Sequence, residues 1–285
     1  MFSGLRWSGF PAAAAILCLA CVGCSERDTG PSASATPVAS AAAAESQPET
    51  DAGKGKGYAF EILYPLLEPE WQPLVAAVHR FAAIQKTDFL DASTAADRAT
   101  GVDYSLDLTF AVTRRTADFV SVTASGSAFV GGAHGVPILA SFNLDLANGK
   151  LTALPDLFTD AQSGLQALSD ECRHQLEGRY AARLRDGDSA MAPAQKAAQI
   201  ASMNRWIERG TQPTPENFRV FLVDGLDSPA IGLTVIFPPY QVAAYVDGVQ
   251  QVEVPAKVFY DLLKPEYKDA FAIDTEARNA SAGVR

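Results

Sequence analysis

The chain has 285 residues, 48% of them hydrophobic, and its 33 acidic against 23 basic side chains give a formal net charge of −10. Its length allows one large domain or two small ones. The acidic balance argues against nucleic acid as a partner, because phosphate binding relies on clustered Lys and Arg and no such cluster occurs. The same balance suits a cationic partner, or serves solubility alone.

Residues 1–23 read as a leader for export. Arg6 precedes an apolar run from Phe10 to Val22 that is too short to span a bilayer comfortably. The run closes on Cys21-Val22-Gly23-Cys24 and is followed by Ser25-Glu26-Arg27-Asp28. This resembles a lipobox, with Cys21 standing where leucine is usual, and implies cleavage before Cys24 and lipidation of that cysteine. The expectation is a lipid-anchored, exported protein. Ser25 after the acceptor points to the outer membrane facing the periplasm if the cell is Gram-negative. The competing reading is an ordinary cleaved signal peptide or an uncleaved anchor.

Of the four cysteines, Cys18 and Cys21 leave with the leader and Cys24 is acylated, so Cys172 alone remains and the mature chain has no internal disulfide. Residues 24–57 are rich in Ala, Ser, Pro, Thr, Gly and Glu, which cannot build a core and predict a disordered tether. A coil of roughly 30 residues has a typical span of about 30 Å.

Order is expected from Tyr58. Tyr58–Tyr64 reads as a strand ended by Pro65. From Glu68 the positions Trp71, Leu74, Val75, Val78, Phe81 and Ala82 recur at helical spacing, predicting a helix to about Phe89. Alternation over Tyr104–Val112 and the run Phe119–Thr123 predict a hairpin with one buried face. Gly131-Gly132-Ala133-His134-Gly135 predicts a tight loop before a strand over Ile138–Leu146, closed by Asn148-Gly149. A short strand or turn over Leu151–Phe158 leads into a helix carrying Leu165, Leu168, Cys172 and Leu176 on one stripe. An Ala-rich helix follows from Ala194 to about Arg209. Phe218–Val223, Ile231–Phe237 and Val249–Val254 read as strands, and Pro255 opens a final helix with Val258, Phe259, Leu262 and Leu263 inward. The fold class is therefore α+β, a mixed or antiparallel sheet packed with several helices. The parts are expected at residues 58–150 and 151–265, with a patternless tail over 266–285.

Chemistry is sparse. His134 is the residue most like an active-site group, because a histidine in a glycine-rich loop is locally unencumbered. No Gly-x-Ser-x-Gly elbow and no His-Glu-x-x-His pair accompanies it, which favours a loop-fixing or binding role over catalysis. Asp170 and His174, four apart on a helix, are compatible with two metal ligands, but an exposed ion pair is the expected reading. Cys172 lies on an apolar stripe with no CxxC partner and reads as a buried, inert thiol. Tyr240 and Tyr245 sit in a Pro-led loop suited to surface recognition. The expected binding residues are Gly132, His134, Gly135, Tyr240 and Tyr245. No catalytic residue, metal ligand or cofactor is expected.

Phe129–Gly135, Phe142-Asn143-Leu144-Asp145-Leu146-Ala147-Asn148-Gly149-Lys150, Leu154–Phe158 and the later Phe237-Pro238-Pro239-Tyr240-Gln241-Val242-Ala243, with Gly248 and Val254-Pro255, resemble the two signatures of the RsiV-type extracytoplasmic domain. The likeness runs from about Tyr58 to Leu263. It implies an α+β fold and either of two contexts: an anti-sigma factor that binds host lysozyme as a signal, or a region preceding a polysaccharide deacetylase module. No cytoplasmic sigma-binding segment or transmembrane helix precedes the domain here, and no deacetylase metal motif is evident. The expectation is a non-enzymatic envelope lipoprotein that binds a lysozyme-like protein or cell-wall glycan, with an envelope enzyme using His134 on peptidoglycan or another glycan as the alternative.

Overall fold

The computed structural model describes residues 48–95, 101–187, 191–225 and 229–273. The expected leader, Cys24, most of the expected tether and the end of the tail lie outside these residues. Residues Ser46–Arg285 make up one compact unit.

The architecture is α+β. A six-stranded mixed sheet is built from β1 (Thr50–Gly55), β2 (Tyr58–Leu63), β3 (Tyr104–Arg115), β4 (Phe119–Phe129), β5 (Val136–Asp145) and β6 (Lys150–Leu151), adjacent in that order. Every neighbouring pair is antiparallel except β2 and β3, which are parallel and joined across helix α1 (Gln72–Thr94). A second sheet is an antiparallel meander of β7 (Phe221–Asp224), β8 (Gly232–Phe237) and β9 (Gln250–Pro255). Helices α2 (Ala161–Gly187) and α3 (Pro193–Gly210) come between the sheets in sequence.

Side-chain alternation turns these elements into four layers. On β3 and β4 the residues Leu106, Leu108, Phe110, Val120, Val122 and Ala124 point to one face, where Leu74, Val78 and Ala82 of α1 complete a core. In the second sheet Phe221, Val223, Leu233, Val235, Phe237, Val252 and Val254 face Leu165, Leu168, Cys172 and Leu176 of α2 and Ile207 of α3. The opposite face of that sheet, with Val220, Leu222 and Ile236, packs on Leu139 of β5. The layers run α1, large sheet, small sheet, then α2 with α3. Each helix stripe thus buries its apolar side on one sheet, the arrangement that removes most apolar surface from water.

Between the two sheets lies a polar seam. Phe221 turns its N–H toward Ser141 Oγ (2.9 Å) and its carbonyl toward Asn143 Nδ2 (3.0 Å), and the Val223 N–H reaches Ser121 Oγ at 3.3 Å. Ser121 in turn donates to Asn143 Oδ1 at 2.6 Å. These side chains satisfy the outer edge of β7, whose backbone groups would otherwise be buried without partners. At the other edge of the same sheet, Gln175 and Arg179 of α2 donate to the carbonyls of Glu253 and Gln251, both at 2.9 Å. The seam also holds Asp224, which accepts from Arg114 Nε of β3 at 3.0 Å and from the Thr234 hydroxyl. Burial raises the Asp224 carboxyl above its ordinary value, against the opposing pull of Thr234 and Arg114.

Four expectations are corrected. Residues 50–55, assigned to the tether, form β1 in a six-pair antiparallel register with β2. Their composition supplies no apolar side chain larger than Ala52, but an edge strand needs only backbone pairing, and Lys86 Nζ ties Asp51 to α1 at 2.7 Å. The final helix expected from Pro255 is instead two 3-10 turns, Ala256–Val258 and Tyr260–Leu262, with a four-residue helix α4 (Pro265–Lys268) after them. The tail does not lose its structure at Glu266: Tyr267, Ala270 and Phe271 are buried, and Phe271 bridges to Ala230. Helix α1 also starts later and ends later than its apolar spacing indicates, because Trp71 caps it and is buried without being helical.

Candidate functional site

The glycine loop between β4 and β5 and the segment after β8 converge. Gly131 and Gly132 have φ of +95° and +101°, which side-chain-bearing residues rarely adopt, and this turn carries His134 outward. The His134 ring stacks on Tyr245 with centroids 4.3 Å apart at 21°. Tyr240 lies 5.5 Å from Tyr245 and 6.3 Å from His134, centroid to centroid. Its hydroxyl is 3.3 Å from His134 Nε2, while His134 Nδ1 is 3.0 Å from the Gly135 carbonyl. One tautomer satisfies both contacts: Nδ1–H donates to the carbonyl and Nε2 accepts from the phenol. Among the described residues the ring's polar contacts are this carbonyl and this phenol.

Tyr240 is the one non-glycine residue with positive φ among the described residues, at +73°. Holding a bulky side chain there costs on the order of 1–3 kcal/mol and persists only where neighbours enforce it. Those neighbours are visible. The Tyr240 N–H donates to the Ala243 carbonyl at 3.0 Å, and its own carbonyl accepts from Trp206 Nε1 of α3 at 3.0 Å. The next residue, Gln241, donates from Nε2 to the carbonyls of Gly210 (2.8 Å) and Asn217 (2.9 Å). Gly210 permits this, since a Cβ there would stand 2.1 Å from the Gln241 carbonyl oxygen. Phe237 and Val242, flanking the turn, are buried in the α2–α3 core.

The result is a clamped turn that displays rings to solvent. Tyr240 is 53% exposed, Tyr245 37%, and the neighbouring Val246 91%, with Val136 and Val249 also exposed. A preorganised patch of aromatic and aliphatic side chains can bury apolar area in a partner without first paying ordering entropy.

Of the five residues expected to bind, His134, Tyr240 and Tyr245 meet in this cluster. Gly132 shapes the turn that carries His134, and Gly135 supplies the carbonyl on its ring. Val246 and Trp206 were not singled out in the sequence: the first looks like an ordinary loop valine, and the second lies on a helix with no cue that its indole reaches across to Tyr240. Cys172 is fully buried, and burial raises its thiol pKa far above the ordinary value. Asp170 and His174 do not pair. Asp170 accepts from Gln166 at 2.9 Å and lies 3.9 Å from Arg173, so the expected exposed ion pair is replaced by contacts with other neighbours on the helix. His79 stacks on Tyr64 at 4.6 Å, away from both. Among the described residues no three His, Cys, Asp or Glu side chains group to hold a metal ion, and no helix is long and apolar enough to cross a membrane.

Fold and site together define an α+β module that presents a clamped aromatic turn. Residues 155–257 match the family described as "Protein of unknown function (DUF3298)". That stretch contains α2, α3, the small sheet and the Tyr240 turn. The chain is also similar to the peptidoglycan-N-acetylmuramic acid deacetylase PdaC of Bacillus subtilis (strain 168), 24% identical over 213 residues. The match covers 74% of this chain but only 40% of that protein. Two solved structures share the fold. A DUF3298 family protein from Pseudomonas aeruginosa PAO1 has a TM-score of 0.53 at 19% identity, and a member of the family from Bacteroides fragilis NCTC 9343 has 0.50 at 16%. Each comparison covers 79% of this chain and 96% of the other.

Proposed function

We propose that this protein is a non-enzymatic binding protein of the cell envelope, lipid-anchored through Cys24, whose His134, Tyr240 and Tyr245 face docks a lysozyme-like protein. The observation that carries the reading is Tyr240. A bulky ring held at positive φ, gripped by Trp206, Ala243 and the Gln241 contacts, and still half exposed, is a strained residue whose strain is useful only if the ring is used. Tyrosine is a frequent anchor at protein interfaces. The net charge of −10 steers a cationic protein toward the domain, and the resemblance to RsiV-type domains names lysozyme as the partner class. Outer-membrane attachment facing the periplasm, with the chain before β1 as spacer, would hold the module where such a protein arrives.

The test is calorimetry of a Ser46–Arg285 fragment, which keeps β1, against c-type lysozyme. Binding is expected for the parent and a loss of at least about tenfold for Tyr240→Gly, since removing one interface anchor typically costs more than 1.4 kcal/mol. Glycine accepts the backbone conformation, so the variant keeps or gains thermal stability. No heat with lysozyme at high micromolar concentration removes the partner. Equal binding by the variant removes the site.

A second reading places cell-wall glycan on the same rings, pyranose faces lying on aromatic faces. Its support is that the Bacillus relative is named as a peptidoglycan deacetylase. An envelope enzyme acting on the same glycan shares that support, but His134 as its acid or base does not, because its two ring nitrogens face a backbone carbonyl and a phenol.

A further inference from the structure

Beside the Tyr245–Asp247 turn, α2, α3 and the loop leading to β9 border an open cavity of about 230 Å³. Its apolar wall is formed by Leu176, Met203, Ile207 and Val242. Arg179 and Arg183 line it as well, four residues apart and therefore on one side of α2. Asp247 is the one acidic residue of the lining, so the space carries a local positive excess in a chain whose net charge is −10.

The two guanidinium groups are differently engaged. Arg183 Nη1 meets Asp247 at 2.9 Å and its guanidinium lies 5.3 Å over the Tyr180 ring. Arg179 donates from Nη1 to the Gln251 carbonyl and has no carboxylate within ion-pair distance among the described residues. A guanidinium has five N–H donors in a planar fork, so Arg179 keeps most of its donors for another acceptor. Both arginines are exposed enough to be reached from solvent.

We propose that this cavity binds a single sugar ring bearing a carboxylate. The carboxylate bridges Arg179 and Arg183, where paired N–H donors fit its two oxygens, and one face of the ring lies on Met203 and Ala243, the apolar lining residues that are only partly buried. Drug-sized pockets run to about 300–1,000 Å³, so a cavity of this size takes one ring and not an extended oligomer. The site is separate from the exposed ring cluster and stands whether or not that cluster binds a protein.

The test is titration of the full chain in detergent with D-glucuronate and, as the matched neutral sugar, D-glucose. Glucuronate is expected to bind in the range of about 1–10 mM, a typical weak single-ring affinity, with glucose at least tenfold weaker. Arg179→Gln and Arg183→Gln are each expected to lower glucuronate affinity at least tenfold. Glutamine at 179 keeps a donor for the Gln251 carbonyl, so the edge of β9 stays capped. Nitrogen-edited NMR of the unsubstituted protein supplies a readout that needs no variant: glucuronate should shift the Arg179 and Arg183 Nε–H resonances. The proposal is overturned if glucose binds as well as glucuronate, if those resonances do not move, or if both variants bind like the parent. It is also overturned if N-acetyl-D-alanine, a carboxylate without a ring, binds equally well.

Discussion

Replacing Asn143 by alanine tests the seam between the sheets. Asn143 is 3% exposed, donates to the Phe221 carbonyl at 3.0 Å and accepts the Ser121 hydroxyl at 2.6 Å. Alanine removes both bonds, leaving the Phe221 carbonyl without its donor and the Ser121 hydroxyl, which keeps the Val223 N–H, without its acceptor, among side chains that are themselves buried. Stranding a buried polar group costs about 1–3 kcal/mol, and partial relaxation offsets some of it, so the total loss should be about 2–4 kcal/mol. For a domain of this size each kcal/mol moves the melting midpoint by about 2–4 °C, giving a fall of roughly 4–16 °C by calorimetry. Ser121→Ala should be destabilising too, because it leaves the Val223 N–H without its acceptor. The double variant should lose less than the sum, with a coupling of about 0.5–3 kcal/mol for residues in one network. A loss under about 0.5 kcal/mol for Asn143→Ala, or strict additivity, would refute the idea that these side chains complete the edge of β7.

Further predictions concern Asp224 and Gly210. Burial raises the Asp224 carboxyl above its value in the unfolded chain, so folding favours the protonated form. Its stabilising share is complete below the ordinary carboxyl value near 3.8 and is lost as pH rises through the raised folded value. Asp224→Asn should therefore gain on the parent between pH 4 and 7, read from urea midpoints at each pH, and a trend of opposite sign would show that the Arg114 pair outweighs desolvation. Gly210→Ala sets a methyl against the Gln241 backbone at 2.1 Å, which must displace the turn. The expected loss is about 1–3 kcal/mol, with a change in Trp206 fluorescence as its bond to the Tyr240 carbonyl breaks; unchanged emission and midpoint would count against the clamp.

Where the fold was legible in the sequence, the reason is a clean period. The alternation of Leu106, Leu108 and Phe110 and the helical stripe of Leu165, Leu168, Cys172 and Leu176 both reach buried positions. Where it was not, long-range pairing decided. Thr50–Gly55 has no strand-like composition and is ordered by β2 alongside it. Tyr267 and Phe271 follow a segment without periodicity, yet they stack with Phe119 of β4 in the core. The site shows the same division. A glycine loop and a Pro-Pro-Tyr turn single out His134, Tyr240 and Tyr245, but their meeting spans 106 residues and no local pattern encodes it. Arg179 and Arg183 read as the solvated side of a helix, and only the loop of Val242 and Asp247 brought beside them makes them part of a cavity lining.

The side chains that cap both margins of the small sheet have a consequence for traffic across its surface. Donor-strand addition requires a free ladder of backbone N–H and C=O groups. On β7 that ladder is taken by Ser121, Ser141 and Asn143, and on β9 by Gln175 and Arg179. An extended peptide therefore finds no template along these margins, and neither does a second, partly folded copy of the chain, which makes this half of the molecule a poor seed for cross-β aggregation.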